Sequence, residues 1–244
     1  MAERPAFRLR RISVGVALCT GAASMVLVPS IPALANPSGA TVVHGAAAFA
    51  QDGALLQIDN SPGAIIDWTS FSIAQDEITR FQQQSAASAV LNRVTSGEIS
   101  AIHGQLVSNG QVFLINPNGM VFGQNATIDT AGFVASTLDM ANEDFLAGAY
   151  RFAGDSGSII NEGYLTTRSG NVFFIAPDIE NAGIIHAESG ALVLAAGRSI
   201  RIGSLDNPDI QFEITAPDDE IINLGQLLAD QGSIHAFAGT LTHS

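Results

Sequence analysis

The feature that most constrains this chain is a repeat in its C-terminal half. Asn161-Glu162-Gly163 is followed by Gly170 and then by Val172-Phe173-Phe174-Ile175. Asn181-Ala182-Gly183 is followed by Gly190 and Leu192-Val193-Leu194, and Asn223-Leu224-Gly225 by Gly232 and Ile234. Each copy has Asn-x-Gly with a second Gly seven residues after the first. The first two copies are 20 residues apart, and the next gap is 42, with room for about two coils. Short strands and frequent turns at such a period predict a parallel β-helix, in which each coil contacts only its neighbours. The recurring Asn161, Asn181 and Asn223 predict a ladder at one corner, each amide bonding the next.

Upstream, Asn92 to Asp139 is a series of short apolar segments separated by turn chemistry. Val112-Phe113-Leu114-Ile115 lies between Asn109-Gly110 and Asn116-Pro117-Asn118-Gly119. The latter suits a tight turn: Asn accepts a local bond at i, Pro presets φ at i+1, and Gly fits i+3. Nearer the N-terminus, 41–43, 55–58, 64–68, 71–73 and 78–81 read as strands, after a lead-in over 36–50. Trp68 reads as a core or capping anchor. The stretch 82–88 reads as a loop or weak helix, and 142–148 as one helical turn with Asn142 as N-cap and Gly148 as its stop.

Asn92-Arg93-Val94, Gly104, the run Asn109 to Gly119 and Ala135-Ser136-Thr137-Leu138-Asp139 resemble the filamentous-haemagglutinin-type secretion domain of two-partner secretion. Trp68-Thr69-Ser70-Phe71 and Ala195-Ala196-Gly197 extend the resemblance over most of the chain. It implies an all-β fold: a right-handed parallel β-helix with short extra-helical hairpins and one short helical turn. It also implies a partner, an outer-membrane β-barrel transporter with periplasmic POTRA domains that bind the unfolded or partly folded chain. Asn116, Pro117, Asn118 and Gly119 match the family's secretion motif, and Met120 stands where Ile is frequent. Asn92 and Arg93 belong to the same series of motifs and are carried over as transporter contacts, with a structural charge at a coil corner as the rival role for Arg93. A second Asn-Pro-Asn element, present nearer the N-terminus in some members, has no counterpart here.

Composition fits an exported chain. All ten basic residues are Arg, and Arg4, Arg8, Arg10 and Arg11 precede the uncharged run Ile12 to Val28 and the small-residue site Ala33-Leu34-Ala35. These features predict a Sec-dependent signal peptide over 1–35 and one secretion domain over 36–244. From Asn36 onward six Arg face 22 acids, a formal charge of −16, which opposes nucleic-acid binding. The single cysteine, Cys19, lies in the leader. The expected location is outside a Gram-negative cell or on its surface, reached through the periplasm. The pattern still runs at Phe237, which predicts a piece of a longer exoprotein or a truncated form.

No cofactor, metal or catalytic residue is expected. The five His lack ligand spacing, Asp155-Ser156-Gly157-Ser158 reads as a Gly-rich turn, and Asp218-Asp219-Glu220 as a solvated turn. Two alternatives remain open at this point. One is a self-contained adhesin that binds host-cell glycan or protein; the other is a β-helix polysaccharide-active enzyme, which needs carboxylates converging on a groove.

Overall fold

The computed structural model describes residues 36–202, 210–213 and 219–243. The leader expected over 1–35 lies outside the described residues, as does Asp218. The chain winds as a right-handed parallel β-helix with three sheets. The first holds eight strands, among them Ala64–Trp68, Ala89–Val94, Gln111–Ile115, Gly132–Ser136, Val172–Ala176 and Leu192–Ala196. The second holds six, including Met120–Phe122, Ser158–Asn161, Asp178–Asn181 and Glu220–Asn223. The third holds eight, including Gln105–Ser108, Thr127–Thr130, Tyr164–Thr167 and Ile184–Ala187. A coil visits them in that order.

Strands of the third sheet alternate, as in Gln105-Leu106-Val107-Ser108, because only one face is buried. The central strands of the first sheet, from Gln111–Ile115 to Leu192–Ala196, are buried almost throughout because both faces are covered. Val112, Leu114, Phe133, Val172, Phe174, Leu192 and Leu194 point into the helix. Phe113, Ile115, Val134, Phe173, Ile175 and Val193 form a second apolar cluster outside it. Two excursions cover that cluster. One leaves after Ser136 and carries the helix Asn142–Leu146 and the strand Arg151–Ala153; the other contributes Ser199–Ile202 and Ile210–Glu213. The three strands join in one antiparallel sheet. Phe145, Phe152, Ile200 and Ile202 are the residues they press onto the first sheet.

This arrangement corrects the two-coil interpretation of the long gap between repeats. Asn181 pairs directly with Asn223 in register, so the gap is one coil plus an excursion. The second Gly of each repeat and the Gly of Asn-x-Gly are needed for stacking. A Cβ on Gly183 would fall inside contact distance of Gly163 O, and one on Gly190 would do the same to Gly170 O.

The N-terminal end is closed differently. Thr41–His44 runs antiparallel to Ala64–Trp68, and Ala47–Asp52 antiparallel to Leu55–Asn60. The strand Ala47–Asp52 lies partly in the stretch read as a lead-in. Small Ala residues hid it, since its face is mostly exposed. Phe71 and Ile73 are buried, but Ile73 makes only an isolated bridge to Ile102. The stretch 82–88 contains no helix. Trp68 is a core residue, edge-on to Phe49 and Phe71.

Candidate secretion-motif turn

The corner between the first and second sheets carries Asn116-Pro117-Asn118-Gly119. Gly119 N donates to Asn116 O at 3.1 Å, closing the turn, and Gly119 takes φ +117, a region that favours glycine. The Asn116 side chain is fully buried and saturated. Its Oδ1 accepts from Asn118 N (3.0 Å) and Asn118 Nδ2 (3.1 Å). Its Nδ2 donates to Glu98 O (3.0 Å) and Ser100 Oγ (2.9 Å) on the preceding coil. Asn118 is exposed, with Nδ2 donating to Ser96 O at 2.7 Å. Pro117 is half-buried, and its carbonyl accepts from Ser156 Oγ at 3.2 Å. The two asparagines are therefore unlike: one is a buried structural amide, the other a surface group on the same turn.

Asn92 and Arg93 sit elsewhere, on the strand Ala89–Val94. Asn92 is fully buried, accepting from Trp68 Nε1 at 3.0 Å and donating to Phe113 O at 3.2 Å. Arg93 lies mid-sheet rather than at a coil corner. Its Nε donates to Asp139 Oδ1 (2.9 Å), one terminal nitrogen to Asn142 Oδ1 (2.9 Å) and Asp67 Oδ1 (3.4 Å), and the other to Met140 O. The guanidinium thus staples the base of the first excursion to the first sheet. Its side chain keeps only 14% exposure. Asn142 is occupied by this contact and does not cap the helix; the N-cap is Ala141, without a side-chain bond.

Asn161, Asn181 and Asn223 stack in one buried column. Asn161 Nδ2 donates to Asn181 Oδ1 (2.8 Å), and Asn181 Nδ2 to Asn223 Oδ1 (2.7 Å). Asn223 Nδ2 and His243 Nδ1 lie 2.8 Å apart, a partner that the repeat did not reveal.

Asp219 corrects the solvated-turn interpretation: it is 1% exposed and ion-paired with Arg198 at 3.1 Å, at the neck of the second excursion. Ser156 is engaged with Pro117 O, as a turn residue would be. Among the described residues no group of three or more His, Cys, Asp or Glu is placed to hold a metal ion.

The partners of the turn (Ser96, Glu98, Ser100, Ser156) escaped sequence reasoning. A signal existed for Ser100, which pairs with Met120 one coil later. Extending the period upstream would have placed it beside the turn.

Residues 33–241 match the TPS (two-partner secretion) secretion domain model. A heme/hemopexin-binding protein of Haemophilus influenzae is 44% identical over 105 residues, 43% of this chain and 12% of that protein. The crystal structure of the HMW1 secretion domain from the same species superposes with a TM-score of 0.82 at 42% identity, over 85% of this chain and 57% of that one. The chain thus spans a small part of the first relative and just over half of the solved domain. With nearly its whole length matched, the chain belongs to the TPS secretion domain family.

Proposed function

We propose that Asn116-Pro117-Asn118-Gly119 is the signal by which an outer-membrane transporter recognises this chain, and that it is read before the domain folds. The observation that carries this is the state of Asn116. It is fully buried, and both its amide atoms are bonded inside the fold. A partner reaches that amide only in an unfolded or partly folded chain. On this reading the leader over 1–35 sends the chain through Sec, and periplasmic POTRA domains of the barrel take up the motif. The β-helix then forms outside the cell or at its surface. Asn92 and Arg93 lie outside this turn, on the strand Ala89–Val94, and act after export as structural groups.

The haem-related activity in the relative's name is not carried over, since the matched part is 12% of its length. The polysaccharide-enzyme alternative gains no support either. A carboxylate-lined depression beside Asp178, Glu180 and Glu220 has about 140 Å³, below the roughly 300–1,000 Å³ typical of small-molecule sites.

The test is Asn118→Ala in cells that make the cognate barrel. Asn118 is exposed, so its loss from the fold costs about 0.5–1.5 kcal/mol. The purified domain stays folded while the secreted fraction falls. Normal export would end the recognition role. Asn116→Ala is the less clean variant, because it strands Ser100 and the Asn118 amide without partners and costs about 1–3 kcal/mol for each buried group.

A further inference from the structure

The recognition turn is a layer between two others, and the outer layer comes late in the chain. On one side lie Ser96, Glu98 and Ser100 of the preceding coil, already bonded to Asn118 and Asn116. On the other lie Ser156, Gly157 and Ser158. Ser156 Oγ donates to Pro117 O, and Ser158 O lies 3.3 Å from where a Cβ on Gly119 would stand. Gly157 has φ +78, and a Cβ there would lie 2.7 Å from Pro117 O and 3.0 Å from Gly119 N. No side chain at position 157 fits between the two turns.

In the regular part of the helix a corner is covered one coil later, as Asn161 is by Asn181, 20 residues on. Pro117 is covered by Ser156, 39 residues on, because the first excursion intervenes. The strand that follows each turn keeps the same offset, Met120 pairing with Ile159. That excursion has its own anchors: the Arg93 fork, the Asp139↔Ala153 bridge and the Phe145 and Phe152 contacts. The turn therefore stays open on one side until a separately anchored segment has returned to it.

We infer that Ser156-Gly157 is a latch whose seating over Pro117 and Gly119 ends the transporter's access to the motif. This rests on the recognition role proposed above. A binder that holds only the open state loses occupancy as closure becomes favourable, so the coil that completes the corner also releases the chain. Gly157 is the residue on which closure depends, through both its positive φ and the contact it makes.

Two measurements test it on the full chain. The first needs no transporter: amide exchange at Asn118 and Gly119 in the folded wild type, in Gly157→Val and in Gly148→Val. Gly148 also has a positive φ, +66, but no atom lies within 4 Å of its Cβ position, so it controls for backbone strain. Gly157→Val should speed exchange at the turn about tenfold or more, and Gly148→Val should leave it unchanged. Equal rates in all three proteins overturn the latch.

The second is binding to the detergent-solubilised cognate barrel. Folded wild type should bind about tenfold or more weakly than the unfolded chain, and folded Gly157→Val should recover part of the difference, since Asn116 stays bonded to Glu98 and Ser100. Folded wild type binding as well as unfolded overturns the latch while leaving recognition intact. Unfolded Asn118→Ala binding like unfolded wild type overturns recognition, whatever the exchange rates show. Should Val prevent folding, Gly157→Ala places a single methyl at the same 2.7 Å from Pro117 O and takes its place.

Discussion

Followed along one column of the second sheet, the molecule changes its chemistry halfway. Ile73, Ile102 and Phe122 occupy the position in the early coils, and Asn161, Asn181, Asn223 and His243 in the later ones. The early half is held by aromatic packing, with Trp68, Phe71 and Phe81 in sequence and Phe122 against Phe133 at 5.9 Å; Phe174 of the first later coil stacks on Phe122 at 5.7 Å, where the halves meet. Its coils vary in length: the steps between first-sheet partners Ala64, Val90, Val112 and Phe133 shorten from each coil to the next. In the later half Asn161 and Asn181 are 20 residues apart. The longer step to Asn223 keeps its register because its excursion leaves and returns at one corner. Hydrophobic contact is non-directional and tolerates such variation. An amide row does not, since each bond needs the next coil at strand spacing and in register. The strict repeat and the ladder are thus one constraint seen twice.

Phe122→Asn would move the ladder one coil into the aromatic half. The row does offer a place, since Asn161 Oδ1 accepts only from Gly163 N among the described residues, at 3.2 Å. One added bond contributes about 0.5–1.5 kcal/mol. Removing a fully buried Phe costs about 3–5 kcal/mol, so the cavity wins. The urea midpoint of the purified domain should fall by the equivalent of about 3 kcal/mol. An unchanged midpoint would mean the two chemistries are interchangeable, and the division between the halves would dissolve.

Much of this architecture was legible from the residues. The Asn-x-Gly spacing led to the coil, and the Asn-Pro-Asn-Gly chemistry to the turn, because both are local patterns. The excursions were legible only in part: 142–148 read as a helical turn and the resemblance implied extra-helical hairpins, but nothing in the spacing placed the second excursion. They carry no repeat, so the stretch from Asn181 to Asn223 counted as two coils. Their trace was present in Val112-Phe113-Leu114-Ile115 and Val172-Phe173-Phe174-Ile175, whose lack of alternation marks strands covered on both faces. What covers the outer face lies in other segments, and no spacing rule joins Phe113 to Phe145. The candidate site divided the same way: Asn118 on the surface and Asn116 beneath it are near in sequence and alike in type. Only the position of Ser96, Glu98 and Ser100 separates them.

Within the later half, Asn181→Leu tests whether the row contributes to stability. It would leave Asn161 Nδ2 and Asn223 Oδ1 without their ladder partners in a site closed to water. The added apolar burial offsets part of that loss, leaving about 2 kcal/mol by the usual cost of buried unpaired groups. Asn161→Leu, at the end of the row, should cost less, because it breaks one ladder bond where Asn181→Leu breaks two, in addition to the contact with the Gly163 amide. Equal midpoints for Asn181→Leu and wild type would reduce the ladder to geometry without energetic consequence.

Arg93→Lys is the smallest expected perturbation, and it probes the early half where a charge rather than an aromatic ring holds the structure. The guanidinium reaches Asp67, Asp139, Asn142 and Met140 O at once because its planar fork spreads donors over several directions. An ammonium keeps the attraction to the two carboxylates but cannot span all four acceptors. Since Asp139 is 57% exposed, part of what is lost is made good by water. The net cost is about 1 kcal/mol, a fall of about 2–4 °C in the thermal midpoint for a domain of this size. Exchange should quicken over Asn142–Leu146, the helix that the fork anchors, and remain unchanged across the column of Asn161, Asn181 and Asn223. Export should stay near wild type, because Arg93 lies on the strand Ala89–Val94, outside the turn proposed for recognition. Lost export with an unshifted midpoint would reverse that assignment and make Arg93 a docking residue.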